Sequence, residues 1–194
     1  MKQGLKTGLL ALLLPLGFSV NAATWTVSNQ ESNVSYVSIK QGKIAEVNRF
    51  TQVDGQLNDK GAFSLTIPLS SVSTGIAIRD TRMKSVFFEV DKYPKLTLSA
   101  QIDPKSIQDL QLGEVARMEV DANIDFHGES KKMLVTVSVA KLSETGLLVT
   151  STQPVIINAG EFELVSGVNK LRDLAGLTQI SYAVPVSFVL SLHQ

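Results

Sequence analysis

Cysteine is absent from this chain of 194 residues, and tryptophan, with one residue, and histidine, with two, are scarce. Without cysteine no disulfide can form, so hydrophobic packing has to stabilise the fold. The absence also excludes a lipid-modified N-terminal cysteine. Charge of either sign is not in excess, since 18 basic residues match 18 acidic ones. The basic residues are scattered, so we predict no nucleic-acid partner.

The shortage of histidine narrows the chemistry further. His127 falls in a predicted turn and His193 lies next to the C-terminus, and neither has partners at the spacing of a catalytic triad or a zinc site. Glu89 and Asp91 are the remaining candidate acid–base pair, although acids so placed are more often simply solvated. We therefore predict no catalytic residue, no metal site and no cofactor, and an enzyme ranks third among the function classes.

The N-terminus has the composition of a secretory signal peptide. Lys2 and Lys6 precede an apolar run over residues 8–18, and small residues occupy a cleavage register at Val20 to Ala23. The run is too short for a spanning helix, which needs about 20 apolar residues, and an uncleaved anchor is the less favoured alternative. The sequence thus predicts a signal peptide over residues 1–22, cleaved after Ala22, and a single domain over residues 23–194.

Apolar residues alternate with polar ones through most of the rest of the chain. This period of two predicts strands with one apolar face, which is typical of an antiparallel sheet. The alternating positions are Val34 and Tyr36; Phe63, Leu65, Ile67 and Leu69; Leu96, Leu98, Ala100 and Ile102; Met118, Val120, Ala122, Ile124 and Phe126; Met133, Val135, Val137 and Val139; and Ile180, Tyr182, Val184, Val186, Phe188, Leu190 and Leu192.

Short polar turns separate the strands and predict a meander. Three of them contain glycine, at Asn58 to Gly61, His127 to Ser130 and Ser143 to Gly146. The segments number about eight or nine, the number at which an up-and-down barrel closes around a small-ligand cavity. We predict an all-β fold, an antiparallel barrel of about eight strands, with a sandwich as the alternative.

Two insertions break the strand pattern. The first, Arg79 to Pro94, opens with charges, closes with proline and predicts a short helical cap, in which Asp80 is an N-cap or first-turn acid. The second, Asn158 to Gly176, predicts a further amphipathic helix. Its apolar face comprises Leu164, Val168, Leu171 and Leu174.

The first insertion also carries a family resemblance. Its run R-D-T-R-M-K-S-V-F-F-E-V-D-K-Y-P, with Ser73 to Gly75 before it and I-D-F-H-G-E-S-K at Ile124 to Lys131, resembles the YceI-like family of bacterial periplasmic proteins. Those proteins are lipocalin-like in shape and are associated with polyisoprenoids or similar long-chain lipids. Arg82 and Met83 stand where the family usually has histidine and leucine.

The resemblance implies a periplasmic carrier of a long-chain isoprenoid, a polyprenyl or quinone-type molecule, or a similar amphiphile. The partners would be that lipid and, transiently, a membrane. A homodimer and a monomer are both left open. The alternative function is a protein-interaction or stress-response module whose barrel is packed solid.

The predicted ligand-binding residues are the apolar positions of the strands and the cap, any of which could instead be ordinary core. They are Val34, Tyr36, Phe50, Leu65, Ile67, Met83, Phe87, Phe88, Leu96, Leu98, Ile124, Phe126, Val135, Val137, Tyr182, Val184 and Phe188. Among them Tyr36 and Tyr182 are the polar candidates for a head group, because a buried hydroxyl needs a partner. For Arg79 and Asp80 we predict a structural role, the attachment of the cap to the barrel.

Overall fold

The computed structural model describes residues 24–194, so the predicted signal peptide lies outside the described residues. Its strands are β1 (Trp25–Val27), β2 (Asn33–Lys40), β3 (Ile44–Phe50), β4 (Asp54–Leu57), β5 (Ala62–Pro68), β6 (Val72–Ser73), β7 (Lys95–Gln101), β8 (Val115–Phe126), β9 (Glu129–Ser143), β10 (Gly146–Ser151), β11 (Val155–Asn158) and β12 (Ala183–His193). Within this range no helix is both long and apolar enough to cross a bilayer.

Eight of these strands form a closed antiparallel ring. The order is β1-β4-β5-β7-β8-β9-β10-β12, and β12 pairs back onto β1 through Val27 and Leu192. Strand β2 also pairs with β12, with Tyr36 opposite Val186, and β3 pairs with β2. The predicted barrel is confirmed, and ring closure excludes the sandwich, whose two sheets would keep free edges.

Two segments expected to be continuous strands are broken. Residues 51–53 separate β3 from β4, and residues 152–154 separate β10 from β11. At each break the chain makes hydrogen bonds outside the ladder, such as that from Val53 N to Asn29 Oδ1 (2.8 Å). The breaks change the pairing partners: β3 pairs with β2 and β6 whereas β4 pairs with β1 and β5, and β10 and β11 share only β12.

Both predicted helical insertions form. Helix α1 (Ala77–Arg82) continues into a single π-helical turn at Met83–Phe87, which together form the cap. The third helix, α3 (Val165–Leu174), follows a 3₁₀ turn at Ala159–Phe162. A short helix that the sequence pattern did not predict, α2 (Lys105–Gln108), lies between β7 and β8.

The up-and-down strand order brings the two insertions to one end of the barrel, which we call the cap end. The opposite end, which we call the floor, carries Trp25, the β4–β5 and β9–β10 turns and α2. Gly167 of α3 lies against the cap, because a Cβ there would come within 3.1 Å of the Phe87 ring. The insertions therefore pack on each other as well as on the strands.

Two hydrophobic clusters correspond to the two ends. The floor cluster is built on Trp25, Leu57, Leu147 and Leu192, with Ile107 of α2 packed against it. The cap-end cluster shares none of the floor cluster's buried residues and includes Phe88, Phe126 and Phe162, the last fully buried. Of the apolar face predicted for α3, Leu164 and Val168 are buried, whereas Leu174 is 48% exposed and ends the helix at the surface.

Candidate ligand-binding cavity

The barrel encloses a cavity of about 360 Å³ that runs from the floor to the cap. Apolar side chains on the inner face of the strands line nearly all of it, because strand residues alternate between interior and exterior. Leu57, Leu147 and Leu192 line its lower end, and Met83 and Leu171 line its upper end. Its volume is within the range of small-molecule sites, about 300–1,000 Å³.

Most of the predicted ligand-binding residues do line the cavity. They are Val34, Tyr36, Phe50, Leu65, Ile67, Met83, Phe87, Phe88, Leu96, Leu98, Ile124, Phe126, Val135, Val137, Val184 and Phe188. This placement shows that the positions share one space, and their contact with a ligand stays a prediction. These residues could be predicted from the sequence because each lies at an inward position of a regular strand or on the cap.

Tyr182 is the exception, and its predicted place in the cavity is wrong. It precedes β12, is 40% exposed, and donates its hydroxyl hydrogen to Asn169 Oδ1 of α3 at 2.9 Å. The alternation that places Val184 inside ends where β12 begins at Ala183. Just before β12, Ser181 N donates a hydrogen bond to Ile39 O (2.8 Å), and this part of the chain does not follow the inward–outward alternation of the strand.

A chain of aromatic rings crosses the cap end of the cavity. Tyr36 contacts Phe50 with ring centroids 5.6 Å apart, and Phe50 contacts Phe88 at 6.0 Å. The Phe88 ring also lies 5.9 Å from that of Phe126, which is 5.4 Å from that of Phe162. These tilted contacts are favourable geometry for aromatic pairs. Phe88 thus joins the cap to two strands of the barrel, β3 through Phe50 and β8 through Phe126.

Polar lining residues are confined to the cap end, where β2, β3 and α1 meet. We call Tyr36, Lys40, Glu46, Asn48 and Arg79 the mouth cluster. The Glu46 carboxylate pairs with both the Lys40 ammonium and the Arg79 guanidinium. Lys40, Glu46 and Arg79 are partly exposed to solvent, and two of them, Lys40 and Arg79, also line the cavity, so the mouth cluster lies between the cavity and the protein surface.

The ion pairs fix the charge state of Glu46. The hydrogen bond from Lys40, and secondarily that from Arg79, hold the pKa of the Glu46 carboxyl below its usual value, outweighing partial burial. Arg79 is further held by donating from Nη2 to Thr74 O at 2.9 Å. The cluster therefore links α1 to β3 through a carboxylate that is ionised at neutral pH.

Sequence reasoning missed Lys40, Glu46 and Asn48 of the mouth cluster, and Asn48 is the most deeply buried of the three. In β3 the apolar Val47 is 73% exposed, while the polar Asn48 is only 4% exposed and lines the cavity. Asn48 is the cross-strand partner of Tyr36 in β2. The signal was present, because Phe50 was predicted inside and a residue two positions before it in a strand shares its face.

Three polar atoms of the mouth cluster are buried without a hydrogen-bond partner among the described residues. They are the Tyr36 hydroxyl, Asn48 Oδ1 and Arg79 Nε. Asn48 Nδ2 is engaged, since it donates to Ser38 Oγ and to Glu46 O, both at 3.2 Å. Burial, reinforced by the nearby Asp80 carboxylate, raises the pKa of Tyr36 and keeps its hydroxyl neutral. Buried polar groups are rarely unpaired, so these three atoms call for an explanation.

Arg79 and Asp80 lie where α1 joins the barrel. Asp80 Oδ1 accepts hydrogen bonds from the backbone N and the hydroxyl of Thr74, the former at 2.7 Å. Arg79 contacts Glu46 of β3 and lines the cavity. The geometry fits the predicted structural role for both residues, and it gives Arg79 a second position, at the cavity wall, that the prediction did not include.

The remaining candidate chemistry lies outside the cavity. Glu89 Oε2 is 3.2 Å from His127 Nε2 at the β8–β9 turn, but His127 is buried and neither of its ring nitrogens makes a hydrogen bond within the described chain. Asp91 is exposed. Across residues 24–194 no group of three or more histidine, cysteine, aspartate or glutamate side chains has the arrangement of a metal site.

Comparison with known proteins places this architecture in a family. The YceI-like domain family matches residues 25–192. A polyisoprenoid binding domain from Saccharophagus degradans, implicated in plant cell wall breakdown, is 33% identical, with a TM-score of 0.85 over 87% of this chain and 97% of that one. A search of curated proteins gives no match.

Two more distant structures share the fold. BcnA of Burkholderia cenocepacia is 20% identical, with a TM-score of 0.67 over 85% of this chain and 98% of that one. The YceI protein of Campylobacter jejuni is 14% identical, with a TM-score of 0.51 over 97% and 99% of the two chains. From the family match and the fold, we conclude that this chain belongs to the YceI-like domain family.

Proposed function

We propose that the protein is a non-catalytic periplasmic carrier that holds a long-chain isoprenoid, or a similar amphiphilic lipid, in the barrel cavity. The observation that carries the proposal is the cavity itself: about 360 Å³, enclosed by apolar strand faces, with polar and partly exposed side chains on its wall at the cap end. Such a space suits a molecule with one long apolar part and one polar end.

The energetic argument is the transfer of hydrocarbon out of water. Burial contributes roughly 25 cal/mol for each Å² of apolar surface removed, so several isoprene units supply enough for tight binding with no ion pair. The floor, where Leu57, Leu147 and Leu192 meet the cavity, would accept the end of the tail. The polar end would then lie at the mouth cluster.

Likeness to the Saccharophagus degradans polyisoprenoid binding domain supports the same class of cargo for this chain. Export to the periplasm rests on the signal-peptide pattern in residues 1–22. The rival function, an interaction module with a solid barrel, is disfavoured by the cavity. It would be revived if that cavity proved unable to take up lipid.

The direct test is to identify what the protein carries. We expect mass spectrometry of an organic extract from natively purified protein to find a stoichiometric isoprenoid lipid. Empty protein that also fails to take up isoprenoids, quinones and fatty amides in solution would refute the carrier function.

A matched pair of variants makes the test specific for the cavity. Ala122 of β8 is buried and lines the cavity, whereas the neighbouring Asp121 faces outward and is exposed. We expect Ala122→Trp to fill the space and abolish lipid in the extract, and Asp121→Trp to retain it. Equal loading of the two variants would show that lipid binds elsewhere.

A further inference from the structure

The three unpaired atoms at the mouth determine what kind of polar end would fit there. Asn48 Oδ1 can only accept a hydrogen bond, Arg79 Nε can only donate one, and the Tyr36 hydroxyl can do either. Asn48 and Arg79 both bond to Glu46, one to its backbone O and the other to its carboxylate, so they flank a single residue. All three side chains line the same cavity.

We infer that the mouth cluster recognises a neutral lipid head group that donates one hydrogen bond and accepts another, such as a terminal hydroxyl or a primary carboxamide. The group donates to Asn48 Oδ1 and accepts from Arg79 Nε, and the Tyr36 hydroxyl is free to take either part. This inference rests on the proposed carrier function and adds the chemical class of the head group.

Asn48 is the residue that discriminates between head groups. Its amide is oriented by the two bonds that Nδ2 donates, to Ser38 Oγ and Glu46 O, which leaves Oδ1 as the atom presented to a ligand. Esters, ethers and quinone carbonyls offer only acceptors, so they would leave this buried oxygen unpaired, which costs binding free energy. A quinol would satisfy the site where the corresponding quinone would not.

The hydrogen-bond requirement of Asn48 Oδ1, rather than charge, argues against an anionic head group. A carboxylate or a fully ionised phosphate also lacks the required donor. The Arg79 guanidinium, which could attract an anion, is already paired with the Glu46 carboxylate. The Asp80 carboxylate lies close enough to Tyr36 to perturb it. An anion would meet the carboxylates of Glu46 and Asp80 but also the cationic side chains of Lys40 and Arg82, so charge gives it no net advantage and the missing donor decides against it.

The test compares ligands that share one tail. Dissociation constants of geranylgeraniol, its methyl ether and the matching headless hydrocarbon are measured by displacement of the fluorescent probe 1-N-phenylnaphthylamine from the full-length mature protein. We expect the alcohol to bind about tenfold more tightly than the ether, because only the alcohol pairs with Asn48 Oδ1. Equal affinities of all three would overturn the inference while leaving the carrier function intact. Failure of all three to bind would overturn the carrier function itself.

A variant locates the selectivity. Asn48→Leu removes the acceptor, and we expect it to lower the ratio of ether to alcohol dissociation constants to about one. Asn33→Leu, at the exposed start of the same strand pair, serves as the control and keeps the wild-type ratio. A tenfold ratio that persists in Asn48→Leu would place the discrimination elsewhere and contradict our assignment. Should Asn48→Leu not fold, the wild-type series of three ligands still decides the question.

Discussion

At the floor of the barrel the cavity meets only apolar side chains, such as Leu57, Leu147 and Leu192, whereas at the cap end it also meets charged and hydrogen-bonding groups. The floor is made by strand ends and one short helix. The cap end is made by two insertions that pack on each other and on the strands. The floor can therefore select a ligand only by the length and apolarity of its tail. Only the cap end can distinguish one polar group from another.

At the cap end the aromatic contacts centre on one residue. Phe88 is 3% exposed and its ring contacts those of Phe50, Phe87 and Phe126. The floor cluster is made mainly of aliphatic residues from several strands, such as Leu57, Leu147 and Leu192, together with Trp25. Substitutions at the two ends should therefore have different consequences, and the four predictions below are ordered from the largest effect to the smallest.

We expect Phe88→Ala to lower the free energy of unfolding by about 3–5 kcal/mol, the usual cost of truncating a buried aromatic residue. Urea unfolding followed by circular dichroism measures it. Val47→Ala, on the exposed face of β3, should change stability by no more than about 0.5 kcal/mol. A small effect of Phe88→Ala would mean that the cap is not part of the cooperative fold, and the contrast between the two ends would then fail.

At the floor we expect Leu192→Ala, at a position that is 2% exposed, to cost about 2–5 kcal/mol in the same assay. Because this residue is remote from the mouth cluster, the preference for the alcohol over the ether should be unchanged. Val189→Ala, at an exposed position of the same strand, is the control. Loss of head-group preference in Leu192→Ala would show that the two ends are not independent.

Glu46→Gln tests whether the ion pairs of the mouth cluster slow the release of lipid. The pKa of Glu46 is lowered in the folded protein, so the stabilisation from Lys40 and Arg79 is present above the carboxyl's ordinary value of 4.5 and is lost as pH falls through the lower folded value. We expect the lipid dissociation rate of the wild type to be constant from about pH 7 to pH 5 and to rise a few-fold only as pH falls through the lowered pKa of Glu46.

In Glu46→Gln the lipid dissociation rate should already be raised by the same few-fold at neutral pH. It should then not change further as the pH is lowered into the acid range. Glu129→Gln removes a carboxylate that pairs with Lys131 at the other side of the cap end and keeps the wild-type profile. A Glu46→Gln profile identical to that of the wild type would show that these ion pairs do not restrain the mouth.

The smallest effect is expected for Arg82, which donates from Nη1 to Leu174 O at 3.2 Å and so connects the end of α1 to the end of α3. Arg82→Gln should raise the lipid dissociation rate about twofold with little change in stability, since a solvent-accessible bond of this kind contributes weakly. Lys84→Gln is the matched control in the neighbouring turn. Stopped-flow transfer of lipid to vesicles compares the two, and an unchanged rate for Arg82→Gln would separate the α1–α3 contact from release.

Most of the fold could be predicted because its determinants are local. Alternation such as that of Leu65 and Ile67 reports which face of a strand is buried, and the glycine-bearing turn at Asn58 to Gly61 reports where the strand ends. Helix α2 escaped prediction because four residues are too few to show a helical period. Tyr182 was placed inside because alternation does not report where a strand begins.

The mouth could not be predicted in the same way, because its residues are brought together by contacts distant in sequence. Nothing in the local pattern links Glu46 to Arg79, which lies 33 positions later, or pairs Asn48 with Tyr36 across two strands. The amino-acid sequence alone determined a barrel with an apolar interior and two helical insertions, because periodicity and turns are properties of neighbouring residues. Only the tertiary structure decided that both insertions meet at one end and leave three polar atoms facing the cavity unpaired, because strand closure sets which distant residues share a wall.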